Sequence, residues 1–184
     1  MPKISLSLIT LSLTLISTTQ AQVPTHCTDK EYAIIDAWMG KTIATDSGYK
    51  NTRQGKVLSL CADQAREPFG RVSYRYGLPG KVEMNVDATT QAPFTIANLS
   101  TGPHTGMDVV GIYQGEFSYY VAINGGQASG IELTVFKGQK KLVEHFSGNH
   151  EGEDFQVGAA ELDLSGNKAR SPVLKMGKLK HSLF

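Results

Sequence analysis

The sequence has few of the residues that build catalytic or metal sites. Its 184 residues include two cysteines, five histidines and one tryptophan. Neither cysteine belongs to a C-x-x-C pair or lies near a histidine at ligand spacing, which argues against a zinc or dithiol site. A G-x-S-x-G elbow and a phosphate-cradling glycine loop are also missing. We therefore predict a non-catalytic protein that carries no cofactor and no metal.

The chain also lacks an excess of either charge. Its formal net charge is +1, and loss of Lys3 with the leader described below brings the charge to zero. A neutral protein has no electrostatic basis for binding nucleic acid, so we exclude that partner. The segment Lys168–His181 is basic. We interpret it as a flexible, frayed end, and contact with an anionic surface is the alternative.

Long apolar runs are missing beyond the first 21 residues, so no transmembrane segment is predicted. Those 21 residues combine Lys3, a short apolar run and small residues up to Ala21, which is typical of a secretory signal peptide. We predict cleavage after Ala21, a single β-rich domain over residues 22–184, and a periplasmic or secreted location. In that oxidising compartment Cys27 and Cys61 are expected to form one disulfide.

What the sequence does contain is a series of short alternating segments. The clearest is Val72–Val86, in which apolar and polar residues alternate on both sides of a Pro-Gly turn. This pattern predicts a β-hairpin. Because one face must be buried, we predict a register that places Arg75 opposite Glu83 on the solvent face. That register leaves a five-residue loop, Gly77–Lys81.

Further segments of this kind occur along the whole chain, with turn residues about every ten positions. They are Lys56–Cys61, Phe94–Ile96, Val109–Ile112, Phe117–Ile123, Ile131–Phe136 and Lys141–Phe146. This spacing predicts an antiparallel β-sandwich or a barrel-like sheet. For Asp154–Leu164 we favour a strand over a short helix.

One short helix is predicted near the start of the domain. Thr28 and Glu31 have capping-box spacing, and the run Tyr32–Met39 ends at Gly40, a natural helix stop. The polar, glycine-containing segment Asp46–Gly55 is predicted to be a loop.

The most irregular stretch, Asn98–Asp108, is predicted to be a long loop on the rigid sheet. Such loops often carry binding residues. By alternation, Tyr120 faces away from Tyr119, and an outward tyrosine is suited to anchor a partner. The alternative is a loop and strand tyrosines without a binding role. The predicted partner-binding residues are His104, Asp108, Tyr113 and Tyr120.

The densest polar cluster follows the last hairpin and consists of His145, His150, Glu151, Glu153 and Asp154. Imidazoles and carboxylates are metal ligands, so this region is the alternative candidate for a metal or small-ligand site. Its spacing matches no ligand motif. A polar turn after a hairpin is the structural interpretation.

Four segments resemble a family of small exported bacterial proteins. They are Ser59–Cys61 (SLC), Tyr74–Met84 (YRYGLPGKVEM), Gly115–Val121 (GEFSYYV) and Ser129–Lys140 (SGIELTVFKGQK). The family combines an SLC-type strand with a YRFG-x-x-GK-x-E hairpin and a late strand pair. The resemblance implies an exported β-protein and carries no activity with it. A looser, architectural similarity to periplasmic lysozyme inhibitors is also present.

Two classes of function are consistent with these features. The first is an exported protein-binding module, such as an inhibitor or immunity protein that acts on a cell-wall-degrading enzyme. The second is a small-ligand or metal-binding protein, or an enzyme, that uses the His145–Asp154 region or the mouth of a barrel.

Overall fold

The computed structural model describes residues 22–102, 105–126, 129–160, 162 and 170–183. The expected signal peptide lies outside these residues. Within them the chain forms eleven strands and no α-helix, and none of it has the helix length and hydropathy needed to span a bilayer. The strands are β1 (Tyr32–Thr45), β2 (Gly48–Ala62), β3 (Val72–Leu78), β4 (Lys81–Ala88), β5 (Phe94–Gly102), β6 (Thr105–Gln114), β7 (Phe117–Asn124), β8 (Gly130–Lys137), β9 (Lys140–Phe146), β10 (Phe155–Val157) and β11 (Leu174–Met176).

The strands form two sheets that share one core. The first sheet has the order β10-β1-β2-β3-β4, and the second has the order β11-β5-β6-β7-β8-β9. Every pair is antiparallel except β11 with β5. Alternating side chains from both sheets meet in the core, among them Leu60 and Tyr74 from the first and Val121 and Leu133 from the second. The predicted mainly β class is confirmed, and the two sheets are consistent with a β-sandwich.

The predicted N-terminal helix is wrong. Tyr32–Met39 is the first part of β1, which pairs with both β2 and β10. The capping contacts do form, because the Glu31 carboxylate accepts hydrogen bonds from the backbone N–H and hydroxyl of Thr28 at 2.9 Å, but they close a turn that leads into a strand. A bulge between Ala33 and Ile35 buries two consecutive isoleucines, which imitates helical spacing.

Two stretches predicted to be loops are paired strands. Asp46–Gly55 contains the start of β2, which begins at Gly48 after a tight turn. Asn98–Asp108 spans the end of β5 and the start of β6, where these two end residues pair with each other. Backbone hydrogen bonds are independent of side-chain polarity, so a polar composition does not exclude a hairpin. Within the region 154–164, Phe155–Val157 forms the favoured strand.

The central hairpin forms, but its register differs from the predicted one. Arg75 faces Asn85 rather than Glu83, and the turn is the two-residue Pro79-Gly80 loop. A bulge between Tyr76 and Gly77 reconciles this short turn with a single buried face. The extra residue restores the alternation that a regular two-residue hairpin would have broken.

We expect Gly77→Ala to destabilise the fold by about 1 to 2 kcal/mol. A Cβ at this position would lie 2.2 Å from the Lys81 carbonyl oxygen across the bulge, so the backbone would have to shift. Gly106→Ala is the matched control, because a Cβ there meets only a carbonyl oxygen at 3.9 Å. Urea unfolding of both variants measures the difference. Equal stability of the two variants would contradict the role assigned to the bulge.

The predicted disulfide between Cys27 and Cys61 is present. It fastens residues 22–31 across the outer face of the first sheet, opposite the core. The backbone N–H of His26 donates to the Ser59 hydroxyl at 2.9 Å on the same face, and Val23 is buried there. The N-terminal segment is therefore a fixed cover on this sheet.

The C-terminal segment covers the outer face of the second sheet. Strand β11 lies parallel to β5, and Leu179 packs with Tyr120 and Phe136 in a second, smaller apolar cluster. His181 stacks on Phe136 with ring centroids 4.2 Å apart. Residues 170–183, interpreted from the sequence as part of a frayed end, are thus packed against the sheet because their apolar side chains alternate with the lysines.

Candidate functional site

The main candidate site is a cavity of about 550 Å³ between the two sheets. The first sheet contributes residues of the central hairpin and the second contributes residues of β7 and β9. We call this cavity the tyrosine pocket. Its principal lining residues are Tyr74, Tyr76, Met84, Phe117, Tyr119 and Val143. Each of them lies at an inward position of its strand, so the same alternation that builds the core also builds the pocket.

Aromatic rings form one continuous wall of the tyrosine pocket. The ring centroids of Tyr74 and Tyr119 are 5.8 Å apart, and Phe117 stacks on Tyr119 at 6.2 Å with an interplanar angle of 25°. Such separations are favourable for aromatic pairs. A flat apolar molecule would find a matching surface on this wall.

The tyrosine hydroxyls in the pocket are free to donate. Among the described residues, Tyr74, Tyr76 and Tyr119 have no hydrogen-bond partner for their hydroxyls. Burial raises the pKa of all three phenols, and the neighbouring tyrosines add to the effect at Tyr74. The phenols therefore stay protonated at neutral pH and present O–H donors to the cavity.

The charges at the rim of the pocket compensate each other. The Lys56 ammonium lies 2.5 Å from a Glu83 carboxylate oxygen and 5.3 Å from the centroid of the Tyr76 ring. The hydrogen bond between the two raises the pKa of Lys56 and lowers the pKa of Glu83, so both remain ionised. The pair contributes no net charge to the pocket.

The polar cluster predicted after the last hairpin is divided by the fold. His145 lies on β9, is half-buried and faces the tyrosine pocket. His150 and Asp154 lie in the turn that follows, with the His150 Nδ1 3.1 Å from an Asp154 carboxylate oxygen. Glu153 is paired with Lys50 at 2.9 Å. Within the described residues, no three such side chains converge as metal ligands.

A serine, a histidine and an aspartate also meet under the N-terminal segment, but in the wrong arrangement for catalysis. The Ser59 hydroxyl donates directly to an Asp36 carboxylate oxygen at 2.5 Å. His26 contacts Ser59 through its backbone N–H, while its ring lies 3.3 Å from the Gly77 carbonyl oxygen. Burial raises the pKa of Asp36. The His26 imidazole does not contact the hydroxyl, so the histidine that a Ser-His-Asp triad places between serine and aspartate is not in position, and the network holds the segment on the sheet.

The predicted partner-binding residues lie on different parts of the fold. His104 is outside the described residues. Asp108 lies on β6 and accepts a hydrogen bond from the Asn98 amide at 2.6 Å. Tyr113 and Tyr120 lie together on the outer face of the second sheet, with ring centroids 6.1 Å apart. Of the three predicted residues that the structure describes, Tyr113 and Tyr120 are the two in contact.

Tyr120 does face away from Tyr119, as alternation predicts, but the C-terminal segment covers it. Its side chain is 0% exposed. The His181 Nε2 donates to the Gly138 carbonyl oxygen at 2.8 Å, so the Nδ1 accepts from the Tyr120 hydroxyl at 2.7 Å. Burial and the nearby Tyr113 raise the pKa of Tyr120 to about 12. Contact between Tyr120 and a partner would require this segment to move.

The residues of the tyrosine pocket were not identified as a site from the sequence. Tyr74, Tyr76 and Met84 belong to the hairpin that we interpreted as scaffold, because inward positions of a strand normally pack in the core. One signal was available. Buried tyrosines usually need a partner for their hydroxyls, and three tyrosines at inward positions exceed what a closed apolar core can satisfy.

The chain was compared with family models, curated proteins and solved structures, and none of them matches it. The resemblance that rests on the SLC and YRYG segments therefore stays an expectation. The site is defined by its own geometry.

Proposed function

We propose that this protein is an exported, non-catalytic binding module whose tyrosine pocket holds a small apolar molecule. The observation that carries the proposal is the pocket itself. Its volume of about 550 Å³ lies in the range of small-molecule sites, and aromatic and aliphatic side chains form its walls. A few hydroxyl donors provide orientation.

The side chains that face the pocket are suited to binding rather than to chemistry. Phenols, one imidazole and apolar groups can hold and orient a molecule. The proposed periplasmic or secreted location is supported by the Cys27–Cys61 disulfide, because such bonds persist in oxidising compartments. The leader predicted over residues 1–21 is consistent with the same location.

Binding of the neutral dye N-phenyl-1-naphthylamine tests the proposal. We expect saturable enhancement of its fluorescence with one site per chain. Val143→Trp fills part of the pocket from β9 and should weaken binding by about tenfold or more, because the large indole takes the space of the dye. Fluorescence titration measures both affinities.

Ile43→Trp is the matched control for this substitution. Ile43 is an exposed strand residue that does not line the tyrosine pocket, so the same change there should leave the affinity unaltered. Circular dichroism establishes that both variants are folded. Failure of the dye to bind, or equal binding by both variants, would count against the pocket as the functional site.

The protein-binding module remains a second candidate, because two hairpin tips carry exposed apolar side chains. Leu78 and Val82 flank the β3–β4 turn, and Ile43 and Tyr49 flank the β1–β2 turn. Exposed apolar side chains of this kind are typical of contact surfaces. An inhibitor of a cell-wall-degrading enzyme would use such a tip.

A lysozyme activity assay on bacterial cell walls tests this second candidate. The protein should slow lysis, and a double variant with Leu78→Asp and Val82→Asp should not, because the charges would have to be buried in the contact. Undiminished lysis in the presence of excess wild-type protein would remove lysozyme as the partner.

A further inference from the structure

Tyr74 differs from Tyr120, the other fully buried tyrosine in the described part of the chain. Its side chain is 1% exposed, and its hydroxyl has no hydrogen-bond partner there. Tyr120 is equally buried, but its hydroxyl is paired with His181 at 2.7 Å. Buried phenols normally find a partner of this kind. The Tyr74 hydroxyl is therefore a donor that can pair with a bound molecule.

The Tyr74 hydroxyl reaches the space of the pocket. Among the described residues, the hydroxyl of the preceding Ser73 is both unpartnered and sealed from solvent. The Tyr74 hydroxyl is unpartnered but is not sealed in this way. Tyr74 also lines the tyrosine pocket. We therefore interpret the Tyr74 hydroxyl as a hydrogen-bond donor on the wall of this pocket.

A molecule that pairs with the Tyr74 hydroxyl must offer a hydrogen-bond acceptor. Desolvation and the nearby hydroxyls of Tyr76 and Tyr119 disfavour a negative charge on the phenol, so it keeps its proton and donates. A carbonyl, ether or hydroxyl oxygen on a ligand would accept this hydrogen bond. Purely hydrocarbon molecules would leave the donor unsatisfied.

The walls and the rim of the tyrosine pocket indicate the shape and the charge of the rest of the ligand. The stacked rings of Phe117 and Tyr119 favour a flat or aromatic group. Lys56 and Glu83 neutralise each other at the entrance, so an ionic group on the ligand would enter an apolar cavity without a counter-charge. Charged ligands are therefore disfavoured.

We infer that the tyrosine pocket selects neutral, flat molecules that carry an oxygen acceptor, which accepts a hydrogen bond from the Tyr74 hydroxyl. This inference rests on the proposed function, because it names the ligand class of the same pocket. It assigns specificity to one phenol and affinity to the aromatic wall.

Two neutral probes that differ in one group test the inference. The first is 6-propionyl-2-(dimethylamino)naphthalene, and the second is its analogue with a methylene in place of the carbonyl. We expect Tyr74→Phe to weaken binding of the carbonyl probe by about tenfold and to leave binding of the methylene probe within about twofold. Loss of an unpaired hydroxyl does not endanger the fold. Tyr32→Phe, at an exposed tyrosine outside the pocket, should change neither affinity.

The outcomes separate this inference from the proposed function. If both probes bind and Tyr74→Phe affects them equally, the role of Tyr74 is wrong while the pocket stands. Failure of both probes to bind would overturn the pocket and the inference together. Tighter binding of 1-anilinonaphthalene-8-sulfonate than of N-phenyl-1-naphthylamine, which lacks only the sulfonate, would overturn the preference for neutral molecules.

Discussion

Replacing both Cys27 and Cys61 with alanine should lower the free energy of unfolding by about 3 to 4 kcal/mol. The disulfide joins residues 34 positions apart, so it removes many conformations from the unfolded chain. In the folded state it holds residues 22–31 on the outer face of the first sheet. Without it, this segment would be retained only by contacts such as the hydrogen bond between His26 and Ser59.

Guanidinium unfolding at neutral pH measures this effect, and Ser73→Ala provides the control. Ser73 pairs directly with Cys61 on the neighbouring strand, is fully buried, and its hydroxyl has no partner among the described residues. Removing that hydroxyl should be neutral or slightly stabilising. Reduction of the wild-type protein should reproduce the destabilisation of the double variant. A loss below about 1 kcal/mol in both experiments would show that the segment does not depend on the bond.

Alternation predicted the strands well wherever each strand carries a regular two-residue repeat. Strand β7 is an example, because it pairs with β6 and with β8 without a register shift. The predictions failed where one residue breaks the repeat. The bulge after Ala33 made β1 resemble a helix, and the bulge at Gly77 moved the central hairpin out of the predicted register.

The functional surface was harder to predict than the fold, because it depends on contacts between distant segments. Alternation correctly put Tyr120 on the outer face, but it could not show that His181, 61 positions later, covers it. In the same way, Tyr74 and Tyr119 belong to different sheets, and only their packing creates a pocket. The burial of a side chain can be inferred from the pattern of its own strand. A cavity can be recognised only when the packing of two strands from different sheets is known.

The ion pair between Glu31 and Arg75 is another contact between distant segments that the sequence pattern did not predict. The sequence suggested Glu31 as a capping residue and Arg75 as the cross-strand partner of Glu83. In the fold the Glu31 side chain is 1% exposed, and it accepts hydrogen bonds from both terminal nitrogens of Arg75 at 2.6 and 2.9 Å. Arg71 donates to the same carboxylate at 3.1 Å. The pair ties the N-terminal segment to β3.

Glu31→Gln should destabilise the protein by about 2 to 3 kcal/mol at pH 7, with the difference lost in acid. The hydrogen bonds from Arg75, with those from Thr28, lower the pKa of Glu31 from 4.5 to about 2 despite its burial. A lowered folded-state pKa means that this stabilisation is complete above pH 4.5 and disappears as the pH falls towards 2. The variant retains the volume of the side chain but leaves Arg75 without its counter-charge.

Urea unfolding of both proteins between pH 7 and pH 2 measures this dependence. The wild-type protein should lose stability between pH 5 and pH 2 more steeply than the variant, and the two should approach each other near pH 2, where wild-type Glu31 is half protonated in the folded state. Glu144→Gln is the control. Glu144 pairs with Lys141 on the surface at 2.8 Å, so its substitution should cost less than about 0.5 kcal/mol. A pH-independent difference between Glu31→Gln and wild type would mean that the carboxylate acts through its shape and not through its charge.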